Sequence, residues 1–395
     1  MVKSSRIGGL VFLVFGLVLA AALPNALTKL VATLFCGILG VFLALKGPKN
    51  TCSVPEDLEK YVKEEEEEED TPGDIDAYEN MYDLKAGGFS RVKMVRRITT
   101  RKKYALKLTN IHKAFDEGQV KHTLDEKQVL LSIKHPFIVK LHATFRDNTY
   151  VYFLLQYISG GELFDVIKDQ KKLKVEDARF YAANVIVAIE YLHKRRIAFR
   201  DLKSENLLVD NEGYLKLIDF GMARYVTDRC NTFAGTLDYV SPEILKNAPY
   251  TEHVDWWALG CLIYEMLTGA TPFKGPEEDR LKLMLTKSVP FGRDFDPVAK
   301  DLVKQLLNTN ASKRLGSSGA DAAIKIRSHP WFKDIDWVAL VKRELVAPKL
   351  VAPPSPVHIS TPKLILKVRK AVENDPPESP RTYSPKAIDT FFSGF

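Results

Sequence analysis

Ala198-Phe-Arg-Asp201-Leu-Lys203-Ser-Glu-Asn206-Leu-Leu-Val-Asp-Asn-Glu-Gly-Tyr-Leu-Lys-Leu-Ile-Asp219-Phe-Gly221 decides the reading of this chain. Asp201, Lys203 and Asn206 fall within six residues, and Asp219 follows a short apolar strand. Two acids, an amide and a base can therefore converge from one hairpin on a single point. Moving a γ-phosphoryl group requires an acceptor for the attacking hydroxyl's proton, oxygen ligands for Mg²⁺ and positive charge beside the phosphate. Asp201, Asn206 with Asp219, and Lys203 have the chemistry to supply these in turn.

Working outward, other motifs stand in order around this stretch. Leu84-Lys85-Ala86-Gly87-Gly88-Phe89-Ser90-Arg-Val92 is a glycine turn between apolar strands, and Ala105 and Lys107 lie on an alternating strand behind it. Glu126 sits in a segment whose Val120, Leu124, Val129 and Leu130 have helical spacing. Val151 to Ile158 is an apolar strand, with Leu155, Gln156 and Ile158 at its end, that leads through Gly160-Gly161 to Glu162. Thr232 lies in Cys230-Asn-Thr-Phe-Ala-Gly-Thr236, and Asp255-Trp-Trp-Ala-Leu-Gly260 and Phe392-Ser-Gly-Phe395 follow.

Together these motifs resemble the eukaryotic protein kinases, and within them the AGC group of serine/threonine kinases, most nearly the catalytic subunit of cyclic-AMP-dependent protein kinase. The resemblance is good over about residues 79 to 333. It implies an α+β bilobal fold, a small β-rich lobe at 79–157 with one main helix and a larger helical lobe at 158–333. It implies ATP and Mg²⁺ as cofactors, with Asp201 orienting the hydroxyl, Lys203 at the γ-phosphate, and Asn206 and Asp219 on the metal. Lys107 paired with Glu126 would hold the α- and β-phosphates. The loop Lys85 to Ser90, Val92, Ala105, Leu155, Gln156, Ile158 and Glu162 would surround the nucleotide. Thr232 matches an activating phosphosite facing His122, Arg200 and Arg224. Glu162, Glu205 and Glu265 match acids that take arginines of the substrate upstream of the acceptor, so basic protein substrates are expected.

The chain departs from the family pattern at Lys85 and Ser90, each in place of a glycine, at Phe199 before Arg-Asp, and at Ser204 in place of a proline. The eroded glycine loop keeps a catalytically silent scaffold of the same fold open as the rival reading. The resemblance leaves room for a regulatory subunit and an upstream activating kinase.

The flanks are of different character. Ile7 to Leu23 has no charge and Ala26 to Leu45 only Lys29, with Pro24-Asn25 between them. About 20 apolar residues cross a bilayer, so residues 1–46 are expected to form a membrane-anchoring hydrophobic hairpin. Lys3, Arg6, Lys46 and Lys49 place both ends on the cytosolic side. The short arms suit a thin membrane such as the endoplasmic reticulum. A cleaved signal peptide and plain core helices remain the alternatives. Residues 47–78, with Glu64 to Asp70 unbroken acid, are expected to be a disordered linker. Residues 334–395, proline-rich with four Ser/Thr-Pro pairs, are expected to be an AGC-like tail wrapped on the surface, with Phe392 and Phe395 docked on the small lobe.

Composition sets bounds. The 395 residues are 46% hydrophobic and 27% charged, an ordinary globular balance. The net charge of +7 is spread among 50 acids, and no nucleic-acid partner is expected. The four cysteines, at 36, 52, 230 and 261, form no Cys-x-x-Cys pair, so neither zinc nor a disulfide framework is indicated.

Overall fold

Strand alternation in Lys103–Asn110 sets the architecture of the smaller lobe. Tyr104, Leu106 and Leu108 are almost fully buried and join Tyr78, Val95, Tyr152 and Leu154 in one apolar cluster. With a period of two, Ala105, Lys107 and Thr109 point to the opposite face. The computed structural model describes residues 54–62, 73–86, 90–226, 230, 234–274, 276–286, 289–317, 319, 321–349 and 383–395.

Five antiparallel strands form the sheet: β1 (Tyr78–Ala86), β2 (Ser90–Arg97), β3 (Lys103–Asn110), β4 (Leu141–Arg146) and β5 (Tyr150–Gln156), in the order β1-β2-β3-β5-β4. The register sets Lys107 opposite Val92 on one side and Phe153 on the other. The short helix α1 (Ile111–Asp116) and α2 (Val120–Ser132) cover the cleft-side face. On α2, Thr123, Glu126, Val129 and Leu130 turn inward at helical spacing.

The larger lobe is built of helices α3 (Leu163–Gln170), α4 (Val175–Lys194), α5 (Pro242–Leu245), α6 (Val254–Thr268), α7 (Glu277–Thr286), α8 (Pro297–Leu306), α9 (Ala322–Arg327) and α10 (Trp337–Val341). Helices α4 and α6 are apolar nearly all round and pack together as its centre. Helix α6 stops at Gly269, whose φ of 77° is left-handed and where a Cβ would meet the Lys171 carbonyl oxygen at 1.8 Å. Two short antiparallel strand pairs rest on this lobe, β6 (Ile197–Ala198) with β9 (Arg224–Tyr225) and, between them in the chain, β7 (Leu207–Val209) with β8 (Leu215–Leu217). The bilobal kinase fold expected from the sequence is the fold observed. Glu243 at the start of α5 receives Arg314 through two bonds of 2.6 and 2.8 Å. Burial opposes ionisation of Glu243, but the guanidinium outweighs it and holds its pKa down.

The flanks differ from expectation in part. Residues 1–53 lie outside the described residues, and the expected hairpin over 1–46 falls within them. Among the described residues no helix is long and apolar enough to cross a membrane. The linker expected to be disordered over 47–78 contains packed segments. Leu58 and Ile75 are each 3% exposed, and Asp57 and Glu59 pair with Lys194 and Arg195 at the end of α4. Single apolar anchors among charges carry no periodicity, which is why composition hides them. The acidic run 64–70 lies outside the described residues.

At the other end, helix α11 (Pro385–Phe392) is capped by Ser384 and buries Ile388 and Phe392. Phe392 packs edge-on against Phe115, and Phe395 against Phe153, so the tail docks on the small lobe. Lys127 over the Phe395 ring and the Arg146 to Asp389 ion pair hold it.

Candidate active site

The central stretch reaches its position because Asp255 of α6, 1% exposed, accepts hydrogen bonds from the backbone N–H of Phe199 at 2.9 Å and of Arg200 at 2.8 Å. These bonds hold the backbone at Arg200, whose φ is 68°; further along, Asp219 has a φ of 61°. Left-handed conformations are costly in non-glycine residues and persist where surroundings enforce them.

Three of the expected residues meet at once. The Asp201 carboxylate takes Lys203 Nζ at 2.9 Å and Asn206 Nδ2 at 2.9 Å, and Asn206 Nδ2 also donates to the Asp201 carbonyl at 2.8 Å. Thr236, which the sequence reading left without a role, donates to Asp201 Oδ1 at 2.8 Å and accepts from Lys203 at 2.8 Å. Its neighbour Gly235, at a φ of 101°, allows the close approach, since a Cβ there would lie 2.5 Å from the Arg200 carbonyl oxygen. A Gly-Thr pair 35 residues downstream of Asp201 was the available signal.

From the other lobe, Lys107 reaches Glu126 Oε1 at 2.6 Å and Asp219 Oδ1 at 3.0 Å. Burial disfavours the ammonium, but the two carboxylates outweigh it, so Lys107 stays charged with a raised pKa. Lys107 in turn holds Asp219 down at about 2, while burial pushes Glu126 up. A strand, a helix and the central hairpin thus share one cation.

Ala105 pairs with Leu155 across β3 and β5, with Gln156 and Ile158 just beyond. Val92 borders Lys107 from β2, and Ser90 opens that strand. By this register Ser90, Val92, Ala105 and Leu155 share the Lys107 face of the sheet, whereas Gln156, opposite Tyr104, lies on the other face and Ile158 beyond the strand. Ala86 ends β1, while Gly87, Gly88, Phe89 and Thr232 lie outside the described residues. Around the place expected for Thr232's phosphate, burial and then the positive charge of Arg200, with a further push from Arg224, lower the pKa of His122.

The three acids expected to face the substrate differ from one another. Glu162 is paired with Lys85 at 3.0 Å. Glu205 is half-buried, with the Ser204 hydroxyl 3.4 Å away. The expectation of a substrate-facing acid at Glu265 meets a carboxylate 5% exposed, which accepts from Ser204 at 3.1 Å and Tyr239 at 2.6 Å. Burial on an all-apolar helix, with the charges of Glu205 and Asp238 adding to it, raises its pKa to about 7.

The donor set suits a nucleotide with magnesium. Asp219 contacts Lys107, and the Asn206 backbone carbonyl accepts from the N–H of Ile218, the residue before Asp219, at 2.9 Å, so a carboxylate and an amide stand on adjoining chain segments. Mg²⁺ in phosphate sites is held by one or two protein oxygens while phosphate and water supply the rest. Among the described residues no group of three or more His, Cys, Asp or Glu forms a cage.

A β-rich lobe and a helical lobe sharing a lysine, two acids and an amide at their junction define the class of phosphotransferases acting with ATP. The protein kinase domain model matches residues 78–332, and the chain belongs to that family. It is 40% identical over 266 residues to cAMP-dependent protein kinase type 3 of Saccharomyces cerevisiae, covering 67% of each chain. It is 39% identical over 260 residues to the cAMP-dependent protein kinase catalytic subunit-like protein of Caenorhabditis elegans, covering 66% of this chain and 65% of that one. The human cAMP-dependent protein kinase catalytic subunit PRKX is 38% identical over 272 residues, 69% and 76% of the two chains. The chain thus spans about two thirds of the length of the first two of these relatives. It is a serine/threonine protein kinase of the cAMP-dependent catalytic type, and kinases of this type use ATP and Mg²⁺.

Proposed function

We propose that this chain transfers the γ-phosphate of ATP to serine or threonine in basic sequence, with Asp201 orienting the hydroxyl and accepting its proton. Lys203 neutralises charge at the γ-phosphate, Lys107 fixed by Glu126 positions the nucleotide, and Asn206 and Asp219 hold magnesium. Magnesium held there would supply positive charge against the charge that develops on the phosphate. The single observation that carries this reading is the pairing of Lys107 with both Glu126 and Asp219, 19 and 112 residues away. A kinase assay with an arginine-bearing peptide and its alanine counterpart tests the substrate half; equal kcat/KM for the two would reject it.

Glu205 and Glu265 would receive a substrate guanidinium beside Tyr239 and Ser204, which supports a preference that depends on pH. Glu265 is neutral below about 7 and anionic above it, and only the anion attracts an arginine. From pH 6 to 8 the ionised fraction rises from about a tenth to about nine tenths, so selectivity for arginine should grow by up to about ten-fold. Glu265→Gln should give a flat profile over the same range.

Phosphorylation of Thr232 is proposed to order the loop against His122, Arg200 and Arg224 through charge-assisted bonds. Thr232→Ala should then lower kcat/KM by about ten-fold, the effect of one such bond. Phosphatase treatment that leaves activity unchanged would reject this.

Residues 79–333 are proposed as the catalytic domain, with 334–395 as its tail. Residues 1–46 are proposed to anchor it to a membrane, the endoplasmic reticulum among the candidates, with the kinase facing the cytosol. Their uncharged runs and flanking lysines support this. Membrane fractionation of full-length protein against residues 47–395 decides it, and recovery of both in the soluble fraction would contradict it. A regulatory subunit and an upstream kinase acting on Thr232 are the proposed protein partners. Co-purification of the full chain with neither would leave no support for them.

A further inference from the structure

Lys85 is the first departure from the glycine pattern, and its ammonium does something that a glycine there has no atoms to do. It lies 3.0 Å from Glu162 Oε1, joining the end of β1 in the small lobe to the start of α3 in the large one. Glu162 is placed firmly. It is the residue before α3, its side chain makes no capping bond, and its backbone bridges to Leu208 in the strand that follows Asn206. The carboxylate is therefore free of local duty and fixed relative to the reacting groups. Lys85 is its cation, on a long side chain that is 56% exposed and able to swing away.

We propose that Lys85 is a specificity-determining residue, an internal cation that occupies the Glu162 carboxylate and so removes the demand for a substrate arginine at that one subsite. The proposal rests on the reading of Glu162 as an acid for basic substrates. A substrate arginine must displace Lys85 before it gains its own bidentate contact, and the displaced ammonium returns to water. Glu205 meets no such cation at hydrogen-bonding distance among the described residues, so its subsite keeps its preference. Exposed ion pairs are individually weak, and salt screens them. The effect is therefore a tuning of selectivity rather than a block, and it shrinks at high ionic strength.

The test is an arginine walk: a peptide set in which one arginine is moved through each position upstream of the serine, assayed at saturating ATP. The readout is each peptide's kcat/KM relative to the peptide without arginine, which cancels any effect of Lys85 on nucleotide binding. The full chain should respond at one upstream position and be indifferent, within about two-fold, at the position served by Glu162. Lys85→Met should create a preference of about three- to five-fold there at low salt, the worth of an exposed pair. Adding Glu162→Gln should abolish that preference, and Lys85→Arg, which keeps the cation, should retain the indifference at that position. A preference at that position already present in the unaltered chain and unmoved by Lys85→Met would overturn the proposal. Indifference at every position in both proteins would reject the basic-substrate reading and the proposal with it.

Discussion

Lys107→Met is expected to lower kcat/KM by about 10²- to 10³-fold, the range seen when one preorganised electrostatic contact at a reacting centre is removed. The size follows from the ammonium's two partners. Glu126 is 4% exposed and lies 2.6 Å from Lys107, and Asp219 lies 3.0 Å from it. Without the cation, two carboxylates face each other at the mouth of the phosphate site, and the already raised pKa of Glu126 rises further. The nucleotide loses its positive contact and Asp219 loses the charge that keeps it ionised. Adding Glu126→Gln separates the causes. It should relieve the repulsion and restore thermal stability while leaving activity low. Steady-state kinetics and thermal melts of the two variants check this, and a Lys107→Met enzyme within three-fold of the parent would contradict it.

Asp201→Asn should be nearly as severe, with kcat down by about 10²- to 10⁴-fold, the usual contribution of a positioned proton acceptor. The amide preserves size but cannot accept a proton from the substrate hydroxyl. It also disturbs the array in which Asp201 receives Lys203, Asn206 and Thr236 within 2.9 Å. KM for ATP should change little, because Lys107, Glu126 and Asp219 are untouched. Loss expressed in KM for ATP rather than in kcat would assign Asp201 a binding role instead. Thr236→Ala should produce a smaller loss of the same kind, since its hydroxyl only orients the acid and the lysine.

How much of this was legible in the sequence depended on whether a residue's role is local. Lys107 and Glu126 were readable through the resemblance, which pairs a strand lysine with a helix glutamate, since strand alternation alone would leave such a lysine in water. The hairpin from Asp201 to Asp219 was readable because its reacting groups lie within one short stretch. Thr236 was not, since its contacts depend on how a loop folds back on Asp201. The pair of Lys85 with Glu162 crosses the cleft over 77 residues, and in the sequence Lys85 stands only as a missing glycine. Burial of Glu265 could have been anticipated, because α6 is apolar on every face and any acid within it must be enclosed. The same reasoning fails for Leu58, a lone apolar residue among charges, whose burial depends on a groove made by distant elements.

Asp219→Asn is the most direct test of the account, because Asp219 makes the Lys107 contact and is the proposed magnesium ligand. The measurement is transfer of labelled phosphate from ATP to an arginine-bearing peptide, with and without Mg²⁺. Robust, magnesium-dependent incorporation by the parent chain and at least 10²-fold less by the variant is the result predicted here. Equal incorporation by the two proteins, or none by either, would contradict it.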